Sequence, residues 1–310
     1  MTNHPSSVWL LACVIALTCA TLHAQSVIVK ATGAGAVRGT GAGSVRGVVV
    51  PKPKWTEVQG IGGAGLQELS AASLGNYIYA IGGWYAAGGT RGGVQRFDGS
   101  VWTNMNSLPD GRDRAAAATL GNYIYLISGR GANPSSAVFR FDGTNWTSSS
   151  NLPAAREYLT AATLSNRIYA IGGVNTNTVY SFDLTNWATV ASLPANRYAA
   201  AAATLGNYIY VIGGIEGGLS KTNTYRFNTI TWDEVAGLPS PRSGLAAVTL
   251  GQHIYAIGGL GSNSVFRFDG TNWTEIDNMP VGKSYLAAAR LNDHIFAIAG
   301  SQTTNCYQYP

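Results

Sequence analysis

Histidine, cysteine and charge are all scarce in this sequence, and each shortage removes a class of function. Four His and three Cys occur in 310 residues, and 11% of positions are charged. Cys13 and Cys19 fall in an N-terminal apolar stretch, so Cys306 has no partner for an internal disulfide. A domain of this size holds together by core burial without such staples. Beyond residue 24 only His253, His294 and Cys306 remain, too few for a zinc or copper cluster. No metal or other cofactor is expected. With 46% apolar residues the chain is not a disordered polyelectrolyte, and its 39 Gly are too many for a helical bundle.

Acidic residues are absent from the first 54 positions, which carry Lys30, Arg38, Arg46, Lys52 and Lys54. Those five account for the whole formal charge of +5, leaving residues 55–310 neutral. The pI of about 9.1 therefore does not point to nucleic acid, and no nucleic-acid partner is expected. No apolar run is long enough to span a bilayer. The longest, Val8–Leu22, has 15 residues where a span needs about 20. It matches the apolar core of a secretory signal, with Leu22-His23-Ala24 before the cleavage point, although no Lys or Arg precedes it. Residues 1–24 are thus expected to direct export to the periplasm, the cell surface or the medium. Residues 25–54 hold a near-duplication, Gly33–Thr40 followed by Gly41–Val48. So much Gly and Ala buries too little surface to offset ordering entropy, which predicts a flexible basic linker.

Everything after the linker is repetitive. Tyr77-Ile-Tyr-Ala-Ile-Gly-Gly83 returns, with small changes, ending at Gly129, Gly173, Gly214, Gly259 and Gly300. A second series of six is Trp55, Trp102, Trp146, Trp187, Trp232 and Trp273. Each unit reads as four short strands. An Ala-rich strand leads through a Gly-Asn-type turn into the Tyr-Ile-Tyr strand. A third strand then turns through Asp-Gly into a Trp-bearing fourth. Six such units predict an all-β, six-bladed β-propeller over residues 55–310. The last unit lacks its fourth strand and the chain begins with an orphan one, so Trp55–Val58 is expected to complete the last blade.

The ordered Leu-Pro-X-X-Arg, Ile-Tyr-X-X-Gly-Gly, aromatic-Asp and Trp elements resemble the kelch repeat, and the resemblance covers residues 55–310. It implies a binding or interaction module, monomeric, recognising a protein or a glycan. It departs from many kelch repeats in a shorter Asp-to-Trp spacing with Gly in the turn. The Asp box of sialidase propellers has a longer spacing and is not matched by Asp142 to Trp146. A further similarity, to kelch-type sialic acid epimerases, implies the alternative of a periplasmic sugar mutarotase. Its acid–base candidates are Glu157 with Arg156, or Asp113 with Arg112.

Between successive closing glycines the spacing is 46, 44, 41, 45 and 41 residues, and the second-to-third strand loops hold 10, 8, 5, 9 and 5. The scaffold is constant; only this loop varies, and insertions on one face point to a binding rim. Trp84 and Tyr85 open the longest loop and have no counterparts, which suits stacking on a sugar or anchoring a partner. Arg91 and Arg130 stand on long loops, where a solvated role is ordinary, and complete the rim. Arg112, Arg156, Arg197, Arg242 and Lys283 recur ahead of the inner strands, and are expected around the channel mouth. There they would either meet an anionic ligand or bond loop carbonyls. Cys306 falls at a strand position and is expected as a buried thiol rather than a nucleophile.

Overall fold

Strands rich in Tyr, Ile and Val, punctuated by Gly-Asn and Asp-Gly turns, leave the chain little choice but short antiparallel sheets. The computed structural model of the chain describes residues 55–310 apart from Ala64, Ala86, Ala87 and Arg91. The export segment at 1–24 and the linker at 25–54 lie outside the described residues. Six four-stranded antiparallel sheets form the blades. The first runs from an inner strand, Ser70–Leu74, through Tyr77–Ile81 and Val94–Phe97 to an outer strand, Trp102–Met105. The inner strands of the next five blades are Ala116–Leu120, Thr160–Leu164, Ala201–Leu205, Ala246–Leu250 and Ala287–Leu291. The sixth blade takes its outer strand from the other end of the described chain, Thr56–Val58 pairing with Cys306–Tyr309. The expected closure is thus present, in the register Thr56 to Gln308 and Val58 to Cys306.

Composition varies with radius for a steric reason. Inner strands crowd around the axis and use Ala, while the second strands, covered on both faces, bury four consecutive residues such as Ile78–Ile81. At the wide outer edge each third-strand Phe stacks on the Trp of its own blade, with ring centroids 4.6–4.8 Å apart in five blades. In the sixth, Tyr309 and Trp55 meet at 5.1 Å with their rings tilted by 43°. Turn chemistry is equally regular. The side-chain oxygen of Asp142 accepts the N–H groups of Thr144 and Asn145 at 2.8 and 2.7 Å, and those bonds hold its pKa below the usual carboxylate value.

Blades are joined by hydrogen bonds at three radii. Outermost, each Trp indole donates to a backbone carbonyl of the preceding blade, from Trp102 to Gln59 at 3.0 Å through Trp55 to Asp277 at 2.8 Å. Further in, the hydroxyls of Thr119, Thr163, Thr204 and Thr249 each donate to the equivalent carbonyl one blade back, at 2.7–2.8 Å. Ser73 continues the series to Arg290, which replaces the hydroxyl residue in the sixth blade. Innermost is a closed ring. Arg114 donates its N–H to Glu68, Tyr158 to Arg114, Ala199 to Tyr158, Gly244 to Ala199, Tyr285 to Gly244 and Glu68 to Tyr285, at 2.6–3.0 Å.

Trp55 is buried and joins both the ring stack and the latch, so the N-terminal strand is part of the core rather than an appendage. A chain starting after Gly60 is expected to lose its single cooperative melting transition, since losing one buried Trp alone costs about 3–5 kcal/mol. An unchanged transition, followed by circular dichroism, would reject closure as a structural necessity.

Candidate functional site

The residues of the innermost ring all have positive φ, from 50° at Ala199 to 59° at Glu68 and Gly244. Only Gly244 takes that conformation freely; at each other position it costs about 1–2 kcal/mol. The turn brings each ring residue to one mouth of the axial channel. Glu68, Arg114, Tyr158 and Tyr285 share that mouth with Ala199 and Gly244, around a cup of about 90 Å³. Its floor is a collar made by the following residues, Leu69, Leu159, Leu245 and Leu286 with Ala115 and Ala200.

Polar contacts tie the large side chains together. Arg114 Nε donates to Glu68 Oε2 at 3.0 Å and Arg114 Nη1 to Glu157 Oε2 at 3.1 Å. The guanidinium lies 4.7 Å over the Tyr158 ring, and the Tyr158 hydroxyl donates to Glu68 Oε1. Tyr285 and Tyr198 flank Tyr158, with centroids 5.7 and 6.2 Å away. Burial, and then the hydrogen bond to Glu68, push the Tyr158 phenol far above its ordinary pKa, so it stays a donor. Burial works against the charge on Arg114, yet Glu157 and Glu68 hold its pKa above the ordinary value. Asp113 stands beside this network, 3% exposed, with Oδ1 lacking a hydrogen-bond partner and 3.5 Å from Arg114 Nε. Burial is the main cause that raises its carboxyl to about 6, Arg114 opposing and Glu68 assisting.

A second space opens to the side. Trp84 and Gly89 from the first blade's loop, Arg130 and Gly131 from the second's, and Asp113 and Arg114 between them line a cleft of about 430 Å³. Trp84 and Tyr85 form a two-residue strand paired with Gly89–Thr90. The Trp84 N–H and carbonyl bond Gln67 at 2.8 and 3.0 Å, which fixes the hairpin at the rim. Tyr85 instead packs against the apolar cluster between the first and sixth blades. Arg130 keeps a 43% exposed side chain, 3.8 Å from Glu157. Arg91 lies outside the described residues.

The five recurrent cations do not line the cup. Arg112, Arg156, Arg197, Arg242 and Lys283 are buried, each two positions before a ring residue, and turn outward along their own blades. Arg112 Nη1 donates to the carbonyls of Ser128 and Ala137 at 3.1 Å, and Arg156 Nη1 to those of Gly172 and Thr178 at 2.9 and 2.8 Å. Arg242 reaches Gly258 O, Lys283 reaches Thr303 Oγ1, and Arg197 bonds Glu216 and Tyr225. Their side chains brace the second-to-third strand loops, while their carbonyls accept from closing glycines such as Gly83 and Gly129 of the blade before. The expected pairings of Asp113 with Arg112 and of Glu157 with Arg156 are also replaced. Both carboxylates face Arg114, and Arg112 pairs with Asp110 at 3.0 Å.

Sequence reasoning passed over Glu68, Arg114, Tyr158, Tyr198 and Tyr285. The two residues after each recurrent cation change chemistry from blade to blade (Asp113-Arg114, Glu157-Tyr158, Tyr198-Ala199, Ser243-Gly244 and Ser284-Tyr285), and that variation is the signal the sequence offered. Among the described residues no group of three His, Cys, Asp or Glu could hold a metal ion, and no helix is long and apolar enough to cross a membrane.

A carboxyl whose pKa rises on folding binds its proton more tightly in the native state, so native stability falls as pH climbs from about 4 through about 6. Asp113→Asn removes that dependence. Relative to wild type, the variant is expected to gain about 1–3 kcal/mol between pH 4.5 and 7.5, on the scale of 1.36 kcal/mol per pKa unit. Urea melts at both pH values check this; parallel changes in the two proteins would contradict it.

Comparison with known proteins agrees with the architecture. A family model described as the KLHDC2/KLHL20/DRC7 Kelch-repeats domain matches residues 68–259, and a kelch motif matches residues 241–280. No curated protein matches the chain. The solved structure titled "Structure of YjhT" superposes with a TM-score of 0.70 at 16% identity, covering 82% of this chain and 95% of that one. At that identity the likeness concerns the fold alone. With six phased repeats and a family match over more than half its length, the chain belongs to the kelch-repeat family of β-propellers.

Proposed function

We propose that this propeller is an exported binding module, acting as a monomer, that captures a glycan at the rim of its first two blades. The observation that carries the reading is the cleft of about 430 Å³ in which Trp84 and Arg130, from two of the long loops, stand with Asp113 and Arg114. An indole wall with a few convergent polar groups is the chemistry that recognises a sugar ring, apolar on one face and hydroxylated at its edge. Export rests on the N-terminal apolar stretch of the sequence, Val8–Leu22.

The mouth supports a second reading, that of a sugar mutarotase. The Tyr158–Glu68 hydrogen bond and the Asp113 carboxyl supply acid–base groups within one network, which ring opening and closure at an anomeric carbon would use. One NMR experiment serves both readings. Saturation transfer from the protein to hexoses, hexosamines and acidic sugars reads binding, and exchange between anomeric signals reads catalysis. Capture without faster exchange is expected. Trp84→Ala is expected to weaken it about tenfold, the scale of a lost aromatic contact of 1–1.5 kcal/mol, with an unchanged melting temperature. Equal transfer in the variant would reject this cleft, and accelerated exchange would favour the mutarotase.

A further inference from the structure

Arg114 is the one residue shared by the linings of the axial cup and the lateral cleft. It also stands between competing acceptors. Its Nε lies 3.0 Å from Glu68 Oε2 and 3.5 Å from Asp113 Oδ1, and only the first is a hydrogen bond. The Asp113 backbone is held in place. Its N–H and carbonyl pair with Arg130 at 3.0 and 2.8 Å, and its carbonyl lies where a Cβ on Gly129 would come within 2.7 Å. The charged groups that face it are Arg114 from its own segment, Glu68 before the first blade, Arg130 on the second blade's loop and Glu157 before the third. Three carboxylates thus share two guanidiniums, and Arg130 is itself drawn toward Glu157.

A buried carboxylate with a free oxygen is costly, so it must hold a proton or recruit a cation. We propose that Arg114 is a gate between cleft and cup whose position is set by the proton on Asp113. With Asp113 neutral, the guanidinium closes on Glu68 and Glu157, the arrangement observed. With Asp113 ionised, Nε leaves Glu68 for Asp113, the partition withdraws, and the two spaces become one site. The regulatory role rests on the reading of the cleft as the ligand site. Ligand entering from the cleft would then meet Glu68 and Tyr158, which line the cup. The gate works near pH 6, where the Asp113 carboxyl titrates.

The Nε–Hε signal of Arg114 in ¹⁵N-arginine-labelled protein tests this directly, identified by its loss in Arg114→Lys. Between pH 5 and 8 the signal is expected to titrate with a midpoint near 6, and in Asp113→Asn to stay at its low-pH position. Glu68→Gln, which removes a neighbouring negative charge, is expected to shift the midpoint downward. A wild-type signal that does not move, a titration that survives in Asp113→Asn, or an unshifted midpoint in Glu68→Gln would each overturn the gate. No sugar is present in the experiment, so its failure is distinct from failure of glycan capture, which the Trp84→Ala comparison reads.

Discussion

Six backbone hydrogen bonds around the axis are the constraint on which the rest of this propeller depends. Each runs from the N–H of a ring residue to the carbonyl of its counterpart one blade back, and the sixth returns to the first. A ring of this kind admits one geometry. Every blade must deliver its residue at the same height, with positive φ, immediately before its inner strand. The Ala-rich inner strands, the constant scaffold between closing glycines and the Trp latches at the perimeter are consistent with that demand at increasing radius. The N-terminal strand is needed for the same reason, because without it the sixth blade cannot hold the position that links the fifth to the first.

The ring would be least strained with glycine at all six positions, yet glycine occupies one. Glu68, Arg114, Tyr158 and Tyr285 accept the left-handed conformation and so bring large polar side chains to the axis. Strain of this sort persists where the surrounding structure enforces it, and it collects at sites with chemical work to do. Here the ring enforces it, and the result is a network in which one guanidinium serves two carboxylates while a third, on Asp113, is left short. A fully satisfied network would be rigid. This one leaves a buried carboxylate oxygen without a hydrogen bond, 3.5 Å from the shared guanidinium and beside a side cleft.

Much of this was legible in the sequence, for physical reasons that also mark where legibility ended. Blade number, strand order and closure follow from phased repetition, because the outer Trp and the closing Gly each do the same job six times. The Arg and Lys series was equally visible, and recurrence was the clue to its use. A residue repeated in five blades meets five equivalent environments, and bonding loop carbonyls is what Arg112 and Arg156 do, as does Lys283 through Asn305 O. The mouth is built on the opposite logic. Glu68, Arg114 and Tyr158 differ from one another, so no repeat signal announces them, and their convergence depends on a turn that forms only in the folded ring. Trp84 stands out because it breaks the pattern; Arg114 breaks it too, but only two positions from Arg112, which keeps it.

Native-state hydrogen exchange of the six ring amides, of Glu68, Arg114, Tyr158, Ala199, Gly244 and Tyr285, tests the dependence of the fold on this ring most directly. A closed ring requires all six to exchange together, at the rate set by global unfolding. Early exchange at Glu68, whose N–H is the one bonded to Tyr285 across the seam, with the other five still protected, would show that the ring opens between the first and sixth blades. The mouth would then be held by individual blades and not by their closure.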